Sequence, residues 1–152
     1  MGDPAAEALL AAQAQGDRSD EGRRQAYAAG AARPAAQSKR EYFAAYLGDT
    51  KLPERWAEDS LSSFNAVEQE TLSLPWLEPA LRALPELKRT HKIFFVNNWL
   101  GAFLGGQRSR EALAAVEQFL QRTDTEPDLR LKVLESIDAL ERTVRIRARY
   151  AN

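Results

Sequence analysis

Residues 127–148 read PDLRLKVLESIDALERTVRIRA. Leu129, Val133, Ile137, Leu140, Val144 and Ala148 recur along this stretch at steps of 4, 4, 3, 4 and 4, the period of one α-helical face. Pro127 suits the first helical position, where a missing N–H costs no bond. The spacing predicts the last and longest helix of the chain, with one face in a core and the other in water.

The same reading carries backwards. Ser109 is placed to cap a helix bearing Leu113, Val116 and Leu120, with Phe119 beside them. Ile93 to Leu104 is the most apolar run, far short of the roughly 20 apolar residues of a membrane span, and predicts a buried core helix ending at Gly105-Gly106. Pro75 starts a helix with Leu77, Leu81 and Leu84. Pro85 should break or kink it, after which the chain resumes through Lys88 into the Phe-rich helix. Asn65 to Ser73 is polar enough for a loop or frayed turn. Pro53 begins a helix with Trp56, Leu61 and Phe64. Pro34 begins one with Tyr42, Phe43, Tyr46 and Leu47, stopping at Gly48. Ser19 caps a helix from Asp20 to about Ala29, and Asp3-Pro4 opens an Ala-rich helix ending near Gly16.

No alternating apolar–polar run is long enough for a strand. The expected class is all-α, with no β-sheet: an irregular stack of antiparallel helix pairs joined by short loops. No fixed-period repeat is visible, which argues against a consensus tetratricopeptide or ankyrin array. A looser α-superhelix of the HEAT or armadillo kind is compatible.

The chain has 152 residues, a formal net charge of -1, 44% hydrophobic and 28% charged residues. That suits one globular domain, residues 1–152, or part of a larger one. The near-neutral charge argues against a nucleic-acid partner or a membrane anchor. There are 0 Cys and 1 His, so disulfides, Cys nucleophiles, thiolate zinc sites and paired-His metal sites are excluded within these residues. No oxidising compartment is needed, and a cytoplasmic location is expected.

Charge is uneven. Residues 1–76 hold 8 Lys and Arg against 12 Asp and Glu, a net -4, while residues 77–152 hold 13 against 10, a net +3. Arg142, Arg145, Arg147 and Arg149 end the last helix, where cations complement the helix dipole. They also offer a face for a carboxylate, a phosphate or an acidic partner. His91 stands alone and reads as a surface or satisfied structural residue. Glu68 and Glu70 read as solvated, and the three tryptophans as core. Asn97-Asn98, inside an apolar helix, need partners for their amides. Gly101 and Gly105 read as a site of close helix packing.

Taken in order, several pieces carry a family likeness. They are Ser19-Asp20-Glu21-Gly22-Arg23-Arg24, Ala31-Ala32-Arg33-Pro34, Lys39, Leu52-Pro53, Phe64-Asn65, Gln69, Leu72 and Pro75-Trp76-Leu77. Leu84 through Thr90, Phe95, Phe103-Leu104, the Ser109–Leu120 helix, Leu129-Arg130, and Glu135, Asp138 and Arg142 through Arg149 follow. The series, from about Pro4 to the end, resembles the C-terminal region of the aminopeptidase N family of zinc metallopeptidases.

The resemblance implies a helical superhelix that closes over an upstream catalytic domain, walls its substrate chamber and restricts access to small peptides. The parent enzyme would use zinc to hydrolyse the N-terminal peptide bond. The family's H-E-x-x-H motif and Gly-rich exopeptidase motif have no counterpart here; His91 is followed by Lys92. No catalytic or metal residue carries over, and no cofactor is expected in this chain. Arg89, His91, Lys92 and Arg130 are the candidate substrate contacts, as cations for a peptide carboxylate. Family members are several times longer, so the chain is expected to be a C-terminal portion of a multidomain protein. Two rival readings are a stand-alone helical protein–protein interaction module and a small regulatory binder using the terminal Arg face on anions.

Overall fold

The structure, a computed structural model, describes residues 4–122 and 124–150. It is all-α, with no strand among these residues. The expected Asp3 cap lies outside them. The α-helices are α1 (Pro4–Gly16), α2 (Asp20–Ala31), α3 (Ala36–Gly48), α4 (Glu54–Phe64), α5 (Glu70–Ser73), α6 (Leu77–Arg82), α7 (Leu84–Thr90), α8 (Ile93–Gly105), α9 (Arg110–Leu120) and α10 (Pro127–Tyr150).

Two N-terminal caps form as the sequence requires. The Ser19 hydroxyl accepts the Gly22 N–H at 3.0 Å, and the Ser109 hydroxyl accepts the Ala112 N–H at 3.2 Å. Both satisfy donors that a first helical turn leaves free. The α10 stripe buries Leu129, Val133, Ile137, Leu140 and Val144, while Ala148 stays exposed.

Helix α3 starts at Ala36, two residues after Pro34. Ala35 is extended (φ -132°, ψ 129°), and its carbonyl takes the first helical bond, from Lys39 N–H. The polar stretch from Asn65 is not a loop throughout: a 3-10 turn at Val67–Gln69 leads into α5. Pro75 sits in a second 3-10 turn, Leu74–Trp76, and α6 follows it. Pro85 does break the chain's course, as the first or second residue of the new helix α7. That helix does not run on into the Phe-rich one. His91 and Lys92 are both extended, and the jog lets α7 bury Leu84 and Leu87 while α8 buries Phe95, Trp99 and Phe103.

The packing order is not simply sequential. Helix α1 lies on α2, α2 on α4, α4 on α8, α8 on α10 and α10 on α9, with α6 also on α9. Arg24 of α2 fastens the second contact: it donates to Asp59 of α4 at 2.6 Å and to both carboxylate oxygens of Glu21. Aromatic rings from α3, α4 and α8 meet in the middle. Phe43 touches Phe64, Trp99 and Phe103, and Trp99 lies 4.5 Å from Phe103, centre to centre. The Trp99 indole donates to the Ala80 carbonyl at 3.1 Å, so this buried ring keeps no unpaired N–H. Trp56 and Trp76 are only partly buried.

The glycine pair of α8 does not mediate close packing. Gly101 and Gly105 are exposed, with open space where a Cβ would point. The close approach is at Gly106, whose missing Cβ makes room for the carbonyl oxygen of Asn65. Asn97 and Asn98 are also exposed rather than enclosed. They reach neighbouring helices: Asn97 accepts from Lys132 and Asn98 donates to Glu58, both at 3.1 Å.

Candidate functional site

The end of α3, the start of α4, and α7 enclose a cleft of about 660 Å³. Tyr46, Leu52 and Leu87 supply apolar surface. Asp49, Glu54 and Glu86 bring carboxylates, and His91 stands at one side. The geometry follows from the helix boundaries. Gly48 ends α3, Pro53 follows a four-residue turn as the N-cap of α4, and the His91 jog ends α7. Asp49 holds the turn by accepting the Lys51 N–H at 2.9 Å.

The four candidate cations fare differently. Arg89 is exposed and forked onto Glu86, at 2.6 and 3.1 Å, and these bonds raise its pKa. His91 lies in the cleft wall, with Nδ1 2.8 Å from the Thr90 hydroxyl and its ring stacked 4.2 Å from Phe95. Lys92 is exposed and begins α8. Arg130 donates to the Leu120 carbonyl at the end of α9. Thus Arg89, His91 and Lys92 share one corner, while Arg130 serves another helix end. Lys88 connects the two regions, pairing with Glu126 and, at 2.6 Å, with Asp128. Those bonds, Asp128 first, raise the Lys88 pKa, and the Lys88 bond lowers that of Asp128.

The terminal Arg face is partly engaged. Arg142 pairs with Asp138 at 2.7 Å and Arg147 with Glu70 at 3.7 Å. Glu70 is therefore not a solvated loop residue. Its side chain is 17% exposed and also accepts the Arg108 N–H at 2.6 Å.

Lys39 is a polar centre of the core, outside the candidate cations. It is fully buried, and Nζ donates to Ala31 and Phe64 carbonyls at 2.8 and 2.7 Å while lying 5.0 Å from the Phe64 ring centre. Those carbonyls end α2 and α4, so one ammonium meets the negative ends of two helices. Burial alone draws its pKa from 10.5 down to about 8. Its register was the available signal: Lys39, Phe43 and Tyr46 share one face of α3.

The implied zinc finds no fitting ligand set among the described residues. Among the described residues, no three His, Cys, Asp or Glu side chains gather to hold a metal, and the lone imidazole is stacked and hydrogen-bonded as above. No described helix is long and apolar enough to cross a membrane.

An all-α stack with an apolar-floored cleft defines a helical domain. Residues 2–142 match the model of the ERAP1-like C-terminal domain, and the chain belongs to that family. This makes it a helical domain of the aminopeptidase family. Comparison with curated proteins gives no match.

Proposed function

We propose that the chain walls the substrate chamber of a zinc-dependent aminopeptidase, with an upstream catalytic domain as its partner and a peptide as substrate. Zinc and the hydrolytic step belong to that partner domain, and this chain alone is not catalytic. The observation that carries the reading is the family match over residues 2–142, joined to a helical stack with no metal-ligand set among its described residues. Within this reading Arg89, His91 and Lys92 form one contact region for the peptide and Arg130 a second. The absence of Cys suits a reducing, cytoplasmic setting, and the near-neutral charge suits a role without nucleic acid or membrane.

The whole open reading frame that contains this sequence should be expressed and assayed. The expected product binds zinc and releases N-terminal residues from short peptides. Arg89→Gln, Lys92→Gln and Arg130→Gln should each raise KM more than they lower kcat. A frame without H-E-x-x-H, or a product without peptidase activity, overturns the proposal. Unchanged KM in all three variants removes the residue assignments alone. The rival reading, a stand-alone interaction module, draws on Phe94, which is 73% exposed; the same reading frame decides between them.

A further inference from the structure

We infer that the cleft between α3, α4 and α7 docks a basic peptide segment, seating an apolar side chain beside a Lys or Arg. The floor is apolar, and Leu47 at its edge is 46% exposed, leaving surface for an incoming side chain to cover. The charge there is one-sided. Asp49, Glu54 and Glu86 face the space, and His91 is the only basic residue lining it. Arg89, on the next turn, is occupied by Glu86. Asp49 and Glu54 enter no ion pair among the described residues.

The helix end adds to this. The last turn of α3 carries no basic residue. Its Asp49 N–H returns to Ala45, and no described N–H donates to the Tyr46, Leu47 or Gly48 carbonyls. A cation is the complement of such an end, and a guanidinium or ammonium next to two carboxylates that hold no counter-charge among the described residues gains charge-assisted bonds. An acidic or phosphorylated segment would meet like charge from Asp49, Glu54 and Glu86. This inference concerns direct binding and stands apart from the chamber-wall reading.

The test uses the full chain and N-acetylated, C-amidated Leu-Arg, followed by NMR with calorimetry for Kd. The Arg in the probe is then replaced by citrulline, which keeps shape and removes charge. Saturable shifts are expected at Leu47, Leu52 and His91, with citrulline bound at least about fivefold more weakly. The double variant Asp49→Asn, Glu54→Gln should weaken the Leu-Arg probe by about tenfold. Both residues are exposed, the side-chain oxygen left by Asp49→Asn can still accept the Lys51 N–H, and the citrulline comparison on the unaltered chain provides a second readout. Raising salt from about 50 to about 300 mM should weaken binding several-fold. Equal binding of the two probes, an unaffected double variant, shifts confined to other surfaces, or no saturation overturns the inference.

Discussion

Around α3, α4 and α8 the core is mainly aromatic and threaded with polar groups; around α9 and α10 it is mainly aliphatic, with Phe119 its one buried ring among the described residues. In the first region Phe43, Tyr46, Phe64, Trp99 and Phe103 pack among Lys39 and Ser60, and Tyr46 and Ser60 share a 2.8 Å hydrogen bond. In the second, every buried residue described on α9 and α10 is apolar. Large rings leave helix ends and carbonyls inside the core, and those need donors. The Leu, Val and Ile stripe of α10 packs without buried polar side chains, and Arg130 reaches the Leu120 carbonyl from its edge.

The largest expected effects contrast the two cores. Trp99→Ala should cost about 4 kcal/mol, from the lost ring and the stranded Ala80 carbonyl. Leu140→Ala should cost about 3 kcal/mol. Urea unfolding of both variants checks the order; a costlier Leu140 change breaks the contrast.

Lys39→Met comes next, at about 1–3 kcal/mol, because two helix-end carbonyls lose their donor. It has a pH signature. The folded pKa of Lys39 lies below its ordinary value, so between about 8 and 10.5 the unfolded chain binds more protons. Stability should therefore rise with pH across that window. Burial raises the pKa of Tyr27, Tyr42 and Tyr46, so stability should fall above about 10, where the unfolded tyrosines ionise. Thermal melts against pH should show a maximum between these limbs, and Lys39→Met should lose the rising one. A rising limb that survives the substitution refutes the role given to Lys39.

The smallest expected effect compares matched caps. Ser19→Ala and Ser109→Ala should each cost about 1 kcal/mol, one beside each core, because a cap bond is local. A large difference in their denaturation midpoints would show that the surrounding core sets the value of the cap.

The same contrast governs what could be read from the sequence. The α10 stripe was legible because five of its six residues are buried at the expected spacing. Ser19 and Ser109 were legible because capping uses neighbours within one turn. Lys39 was legible only through its register with Phe43 and Tyr46; its partners, carbonyls at the ends of α2 and α4, belong to no local pattern. The His91 jog was hidden because no proline or glycine marks it. For the candidate site, His91 and Glu86 were visible as residues but the cleft was not, because its walls come from segments some 40 positions apart. Asn97 and Asn98 were legible as amides that need partners, but not which partners; only the positions of α4 and α10 supply Glu58 and Lys132.

The packing order has a consequence for how the chain opens. Helix α1 lies chiefly on α2, with Arg33 reaching across to Glu7 at 2.8 Å, and most of its described residues are exposed. A row of helices held by neighbours loses its outermost member at the smallest free-energy cost. Amide protons of α1 should exchange with solvent through local opening, while those of α4 and α8 wait for the whole domain to unfold.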